Sequence, residues 1–337
     1  MKSEVKRLYR EIAYLSRIPL RPLRVNLALT DACNLRCVTC SKWRGQPRTE
    51  ELTGKEWTRI LRSLKGFALT NLLVFEGAEP FCKSEFLEIL KDSREMNFQL
   101  IVISNGTLID RPAAEKLGRL GIRQMILSLN GVKPETHDKT RGVDGSFEKT
   151  MTAVRLLKEN GVPVVLETVI LRSNLGELEA LVRLARENNL KGLLFQVLTA
   201  VNVHNKFEEN RNRRPAPGWY RWDPEWIDDL DALDRVMTEI IRLKRKGFPV
   251  LNSLTQLRLF SRYYRDEESL KNIPCPCGYA NFLVDPYGDV RLCNGMEPAG
   301  NLLEQEPLEI WRSERTRRLR REIRHCQASC RILNNNW

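Results

Sequence analysis

Val25-Asn26-Leu27-Ala28-Leu29-Thr30-Asp31-Ala32-Cys33-Asn34-Leu35-Arg36-Cys37-Val38-Thr39-Cys40 runs from an apolar, strand-like segment into three cysteines spaced C-x3-C-x2-C. Three thiolates on a tight loop can hold three irons of a [4Fe–4S] cube and leave the fourth iron open to another ligand. A structural zinc site wants four ligands in two close pairs. No fourth ligand stands near, since His137 is the first histidine. A disulfide framework suits small secreted chains, and this one has 337 residues and no signal-peptide pattern. The spacing therefore points to an iron–sulfur loop.

Composition sets the outer bounds. Hydrophobic residues make up 42% and charged residues 29%, which is globular and not disordered. No apolar run reaches the ~20 residues needed to span a bilayer. Nine cysteines without a secretory pattern indicate metal or redox chemistry in a reducing compartment, so the cytoplasm is expected. A net charge of +12 favours anionic partners, although a solvated basic surface explains it equally. Arg312 to Arg324, with Leu319 and Ile323 interleaved, reads as an amphipathic helix. It lacks the aromatics of single-strand binding, so nucleic acid is not an expected partner.

Outward from the cysteine loop, apolar runs recur at 25–29, 72–75, 100–103, 125–129, 164–170 and 193–198. Helical patterns separate them at 54–64, 84–94, 111–120, 147–160 and 175–189. Asp110 and Pro112 fit a helix start, and Gly121 and Gly161 fit helix ends. Six βα units with near-continuous apolar strands predict an α/β fold, a parallel sheet covered by helices. Chemistry in such folds gathers at the strand C-terminal ends, where the cysteine loop falls. Residues 1–22 predict an N-terminal amphipathic helix with Val5, Leu8, Ile12 and Leu15 on one face. It is expected to cap the barrel bottom, with a membrane surface as the alternative. The core is expected over 23–200. A helical bridging segment follows over 201–270, holding polar 210–217, the aromatics Trp219, Tyr220, Trp222 and Trp226, and a helix at 227–246. Residues 271–337 carry five of the nine cysteines.

The cysteine triplet with its Asn34-Leu35-Arg36 filling resembles the signature loop of the radical SAM superfamily. The resemblance implies a partial (β/α)6 barrel in which the open iron chelates S-adenosylmethionine (SAM). Reductive cleavage would then give a 5′-deoxyadenosyl radical. Thr39 departs from the aromatic residue usual before the last cysteine. Phe75-Glu76-Gly77-Ala78-Glu79-Pro80 resembles the family's Gly-Gly-Glu-Pro motif, with Gly77 and Ala78 giving backbone contact and Glu79 holding the SAM amine. Ser104-Asn105-Gly106-Thr107 resembles the family's Thr-Asn-Gly-Thr segment near the cofactor. Ser128-Leu129-Asn130-Gly131 resembles Ser-Leu-Asp-Gly, with Asn130 for the usual Asp. By the same resemblance, Ser128 and Arg141 contact the SAM carboxylate, which a guanidinium can hold bidentately. His137 is expected to cap or pack the loop.

A second cysteine set closes the chain. Cys275-Pro276-Cys277 precedes a predicted β-hairpin over 282–293 that turns at Pro286-Tyr287-Gly288-Asp289 and ends at Cys293. Cys326 and Cys330 add two more thiols. The spacing, with Gly300-Asn301-Leu302 and Glu309-Ile310-Trp311, resembles the SPASM or twitch extension. That implies a small C-terminal α+β domain with one auxiliary [4Fe–4S] cluster. Cys293, Cys326 and Cys330 are its expected ligands, with Cys275 and Cys277 competing for the fourth place; a four-thiolate zinc knuckle is the alternative. Asn294 stands where sulfatase-maturing relatives carry a catalytic Asp, which disfavours that activity. Cys82 reads either as a buried small hydrophobe or as a hydrogen-atom donor near the strand ends.

The combined expectation is a radical SAM oxidoreductase. It is expected to abstract hydrogen from a small polar metabolite, neutral or anionic, such as a sugar or nucleotide derivative, leading to oxidation or epimerisation. Modification of a ribosomal peptide or protein side chain is the alternative, and a noncatalytic metal-binding module the remote one. With 24 residues before the first strand, neither a fused peptide-leader domain nor a cobalamin domain is expected. A flavodoxin or ferredoxin would supply electrons.

Overall fold

The computed structural model describes residues 3–40, 42–44, 50–199, 223–270, 273 and 275–326. Residues 210–217, Trp219, Tyr220, Trp222 and Cys330 lie outside the described residues. Six parallel strands form the sheet: β1 (Val25–Ala28), β2 (Leu72–Glu76), β3 (Gln99–Ser104), β4 (Gln124–Ser128), β5 (Val164–Ile170) and β6 (Gly192–Val197). Each pairs with the next in sequence order. The strands fall within a residue of their expected limits. This is the parallel sheet predicted from the alternation, arranged as the partial (β/α)6 barrel that the resemblance implied.

Helices α1 (Ser3–Ser16), α2 (Gly54–Ser63), α3 (Phe86–Glu95), α4 (Arg111–Arg119), α5 (Pro134–Arg141), α6 (Ser146–Glu159) and α7 (Leu178–Glu187) lie in the barrel half of the chain. Asp110 accepts a hydrogen bond from the Ala113 N–H (2.9 Å), so the expected cap of α4 is made. Gly121 and Gly161 take φ of +62° and +68° after α4 and α6. The main core lies between sheet and helices, from Val25 and Leu27 to Leu166 and Phe195. A smaller cluster of Ile126, Val165 and Leu194, with Ile101 and Ile103 against it, fills the other sheet face.

An open barrel has two strand edges whose N–H and C=O groups need partners. At β6 the chain returns through residues 249–252: Leu193 N–H donates to Pro249 O (2.8 Å) and Leu251 N–H to Leu193 O (2.9 Å). Asn252 extends this pairing with its side chain, donating to Phe195 O (2.9 Å) and accepting from Phe195 N–H (2.7 Å). At β1 the edge is covered by β7 (Leu283–Val284), which pairs in parallel, Asn26 with Leu283 and Leu27 with Val284. β8 (Asp289–Arg291) and β9 (Gly300–Asn301) follow antiparallel, so the C-terminal hairpin continues the barrel sheet into nine strands. Asp285 Oδ1 accepts from the N–H groups of Tyr287 and Asp289, and Gly288 at φ +83° closes the turn.

The bridging helix α8 (Leu230–Arg245) is joined by α9 (Leu254–Arg265), which the periodicity did not reveal. Trp226 packs on Tyr263 and Tyr264 at 5.3 and 4.7 Å, as expected for a core aromatic. α10 (Pro307–Arg312) and α11 (Glu314–Arg324) end the described chain. Trp311, fully buried, sits against Phe67 and Phe282 at 6.3 and 6.0 Å, joining the C-terminal helices to the barrel.

One expectation fails. The stripe on α1 does not cap the barrel: Leu8, Ile12 and Leu15 are 56%, 49% and 75% exposed. Ala13 and Tyr14 face inward instead, Ala13 fully buried and Tyr14 edge-on to Tyr279 at 5.8 Å. The reason is that Tyr279 and Arg324, both from the C-terminal unit, attract the aromatic face rather than the aliphatic one. No helix among the described residues is long and apolar enough to cross a membrane. Trp311→Ala is expected to cost about 3–5 kcal/mol in urea unfolding, whereas Ile12→Ser should stay within about 0.5 kcal/mol.

Candidate functional site

The loop after β1 is held by backbone rather than by its own turns. Arg36 N–H donates to Arg141 O and Val38 N–H to Thr140 O, both at 3.0 Å, so the loop lies along the last turn of α5. Gly142 follows that turn at φ +67°, and a Cβ there would stand 2.3 Å from Arg36 O. From the other side Glu51 accepts from Thr30 Oγ1 (3.0 Å) and from Asp31 N–H (2.7 Å). Asn34 accepts from Asn105 Nδ2 (2.9 Å) and donates to Thr107 Oγ1 (2.8 Å), which ties the loop to the end of β3. None of Glu51, Gly142 and the Asn34 side chain was singled out from the sequence; only their partners in space reveal them.

Cys33, Cys37 and Cys40 are half-buried free thiols on this loop. Burial pushes the Cys33 thiol up to about 12 and raises Cys40. Thiolate ligands here therefore need compensating charge and N–H donors. Leu35 N–H points at Cys33 Sγ (3.5 Å) and Arg141 Nη1 at Cys37 Sγ (3.6 Å). The Arg141 Nε is buried without a partner. A loop of three thiols, N–H donors and an unfilled guanidinium fits an iron–sulfur cluster with an anionic ligand beside it.

The second and third strands deliver their motifs to the same place. Gly77 takes φ +126°, and a Cβ would press on Thr30 O at 3.2 Å and on Ala28 Cα at 3.3 Å, so β2 passes close under the cysteine loop. Ala78 N–H reaches Thr30 O (3.4 Å) and Glu79 N–H reaches Ala32 O (3.1 Å). Glu79 is fully buried and accepts from Ser104 Oγ (2.9 Å), Asn105 N–H (2.7 Å) and Phe81 N–H (3.2 Å). Burial raises its pKa to about 7, against the pull of those donors and of Arg141. Ser128 ends β4, paired with Glu167 of β5.

Asn130 has a physical reason. Its backbone N–H donates to His137 Nδ1 (3.1 Å), its Nδ2 to Thr140 Oγ1 (3.2 Å), and its Oδ1 accepts from Val169 N–H (3.2 Å). A carboxylate could not make the donor half of that set. His137 is buried as the loop-packing residue expected, and burial lowers its pKa to about 3. Glu177 clamps the same loop through Val132 N–H (2.7 Å) and Lys133 N–H (3.0 Å), another residue that the sequence alone did not expose. Cys82 lies against the Asn34 backbone, and burial and Glu79 raise its pKa.

At the other cysteine set, the Cys277 thiol interacts with both Cys275 and Cys293. Three sulfurs thus gather where the hairpin begins and ends. Their mutual contact raises Cys277 and lowers Cys293. Asn281 Nδ2 donates to Cys277 Sγ (3.5 Å) and Gly295 N–H to Cys293 Sγ (3.4 Å). Cys326 follows α11 and is half-buried. The two cysteine regions touch through the hairpin turn, where Tyr287 OH donates to Asp31 Oδ2 (3.2 Å) and Leu52 N–H to Pro286 O (2.9 Å).

The comparisons agree with this geometry. Residues 27–185 match the radical SAM superfamily, and residues 275–332 match SPASM, an iron–sulfur cluster-binding domain. The chain belongs to the radical SAM superfamily and carries a SPASM extension. These domains imply a SAM-binding [4Fe–4S] cluster, SAM itself and auxiliary iron–sulfur chemistry. Two similar proteins come from Methanosarcina barkeri. Fe-coproporphyrin III synthase is 28% identical over 66% of this chain and 52% of its own length, so the match spans about half of that relative. AdoMet-dependent heme synthase is 24% identical over 92% of this chain and 88% of its own length. The sporulation killing factor maturation protein SkfB of Bacillus subtilis is 25% identical over 92% of this chain and 70% of its own length. Streptococcus suis SuiB, solved with its precursor peptide SuiA, shares the fold with a TM-score of 0.69 at 17% identity, over 92% of this chain and 69% of that one.

Glu79 gives a pH signature in the cofactor-free chain. Its folded pKa of about 7 exceeds its ordinary 4.5, so its contribution to stability is present below 4.5 and is lost as pH rises through 7. Urea unfolding of the chain without iron or SAM should show up to about 3 kcal/mol of this loss. Glu79→Gln should flatten the dependence.

Proposed function

We propose that Cys33, Cys37 and Cys40 hold the SAM-binding cluster and that SAM lies over the ends of β2 to β4. Its amine would meet Glu79 and the backbone of Gly77 and Ala78. Its carboxylate would meet Ser128 and Arg141, with the Ser104-Asn105 segment supporting Glu79. The carrying observation is the meeting of Glu79, Ser104, Asn105 and Arg141 around the cysteine loop, drawn from the ends of three separate elements, β2, β3 and α5. When bound, the cluster and SAM would supply the chemistry for removing hydrogen from a substrate carbon, and the auxiliary cluster would accept an electron. The protein's own part is positional. Arriving ammonium favours the ionised form of Glu79, and Arg141 supplies a fork that matches a carboxylate. Cys275, Cys277, Cys293, Cys326 and Cys330 would supply the auxiliary ligands. Cys82, beside Asn34, is retained as a candidate hydrogen donor; unchanged product stereochemistry and turnover in Cys82→Ala would remove that role.

As substrate we propose a ribosomally made peptide or protein side chain, an oxidation being the net outcome. The comparisons support this better than the sugar or nucleotide expected above: SkfB is a maturation protein and SuiB holds a precursor peptide in its structure. A net charge of +12 suits an acidic peptide. A second reading rests on the heme synthase match across nearly all of both chains, and makes the substrate an iron porphyrin bearing carboxylates. A flavodoxin or ferredoxin as donor and a cytoplasmic setting complete the proposal.

Anaerobic reconstitution should load about eight irons in two cubes, and SAM with dithionite should yield 5′-deoxyadenosine. Cys37→Ala should abolish that product and about halve the iron. Incubation with acidic precursor peptides should cause loss of a hydrogen pair or a new crosslink by mass spectrometry. Turnover of iron coproporphyrin III alone would select the second reading, and absence of SAM cleavage would overturn both.

A further inference from the structure

Two guanidiniums flank the Cys277 segment, and the SAM site uses neither. Arg24 precedes β1. The register pairs Asn26 with Leu283, so Arg24, two residues earlier, runs beside Asn281, whose amide donates to Cys277 Sγ. Arg24 also shares a strand face with Asn26 and Ala28, which pair with Val74 and Glu76 of β2. Its charge acts on both the Glu76 carboxyl and the Cys277 thiol.

Arg320, on α11, lies against the residue that follows Cys277. It is only 4% exposed. Its Nε donates to the carbonyl of Gly278, the residue after Cys277, at 2.7 Å. Its guanidinium lies over Trp311 at 4.3 Å. Both Nη1 and Nη2 are buried without a partner. Burial lowers its pKa only to about 10, so it is a cation at neutral pH. A buried cation with two idle donors is costly unless an anion with acceptor atoms meets it.

We propose that Arg24 and Arg320 are the cationic partners of the auxiliary cluster, bracketing the Cys277 segment from the barrel and from α11 and setting the cluster's reduction potential. This rests on the reading that Cys275, Cys277 and Cys293 ligate that cluster. A thiolate-held cluster is anionic, and one-electron reduction adds another negative charge. A nearby cation stabilises the reduced form more than the oxidised one, and a nearby carboxylate does the opposite. Hydrogen bonds from the Arg320 donors to cluster sulfur act in the same direction.

The test uses the full chain with Cys33, Cys37 and Cys40 changed to Ala, so that only the auxiliary cluster assembles, followed by EPR-monitored redox titration and iron analysis. Arg24→Gln and Arg320→Gln should each shift the reduced-to-oxidised ratio about tenfold towards oxidised, 59 mV for a one-electron couple. Arg24→Lys and Arg320→Lys should recover part of that shift, and Glu76→Gln should move the ratio the other way. Iron lost in the Gln variants but kept in the Lys variants supports the same assignment; equal loss in both overturns it. Loaded Gln variants whose ratio stays within about twofold of the parent overturn it alone. A parent that binds no iron overturns the auxiliary-cluster reading as well.

Discussion

The structure depends on the hydrogen bonds that lay the cysteine loop along the last turn of α5. A loop able to present three thiols to one cluster has no room for regular secondary structure, so its backbone groups need partners elsewhere. Arg36 and Val38 find them on Arg141 and Thr140, and Gly142 leaves the space that makes this approach possible. The same helix turn then carries Arg141 to Cys37. Loop shape, helix end and local charge are thus one arrangement.

Around it, polar residues at successive strand ends are assembled by parallel pairing. Glu79 after β2 meets Ser104 at the end of β3 because the two strands run in register, and Asn105 returns to Asn34 of the cysteine loop. Glu79 is kept buried among donors at a pKa near neutrality, a state in which an incoming ammonium changes its ionisation at little cost. His137 and Asn130 look like site residues by position, yet their hydrogen bonds serve to shape the loop after β4. Position at a strand end is therefore not sufficient for a role at the cofactor.

The barrel was legible because its strands are apolar throughout and its helices carry clear caps and periodicity. Helix α5 was not, since Pro134 to Arg141 buries only His137 and Thr140 and shows no apolar stripe. Helix α9 escaped for a different reason: it buries polar and aromatic residues, Gln256 accepting from the Asn252 side chain and Tyr264 bonding to the backbone of Ile170 in β5 and of Leu198 just past β6. The stripe on α1 misled, because periodicity shows that a face exists without showing what it meets. The motif residues Glu79, Ser104 and Arg141 could be named because their short segments resemble the family's motifs. The clamps Glu51 and Glu177 act across long stretches of chain, and no local pattern marks them.

The pairing of β1 with β7 bears on how the molecule comes to be made. Asn26 and Leu27 belong to the first of the described strands, and their partners Leu283 and Val284 lie about 250 residues later in the chain. Until those emerge from the ribosome, β1 has one bare edge. Pairing of such distant segments is entropically slow and leaves that edge open to other chains in the meantime. Tyr287, which reaches Asp31, arrives with the same late segment. Faster translation would therefore burden this protein first at the seam beside β1, with aggregation as the visible sign.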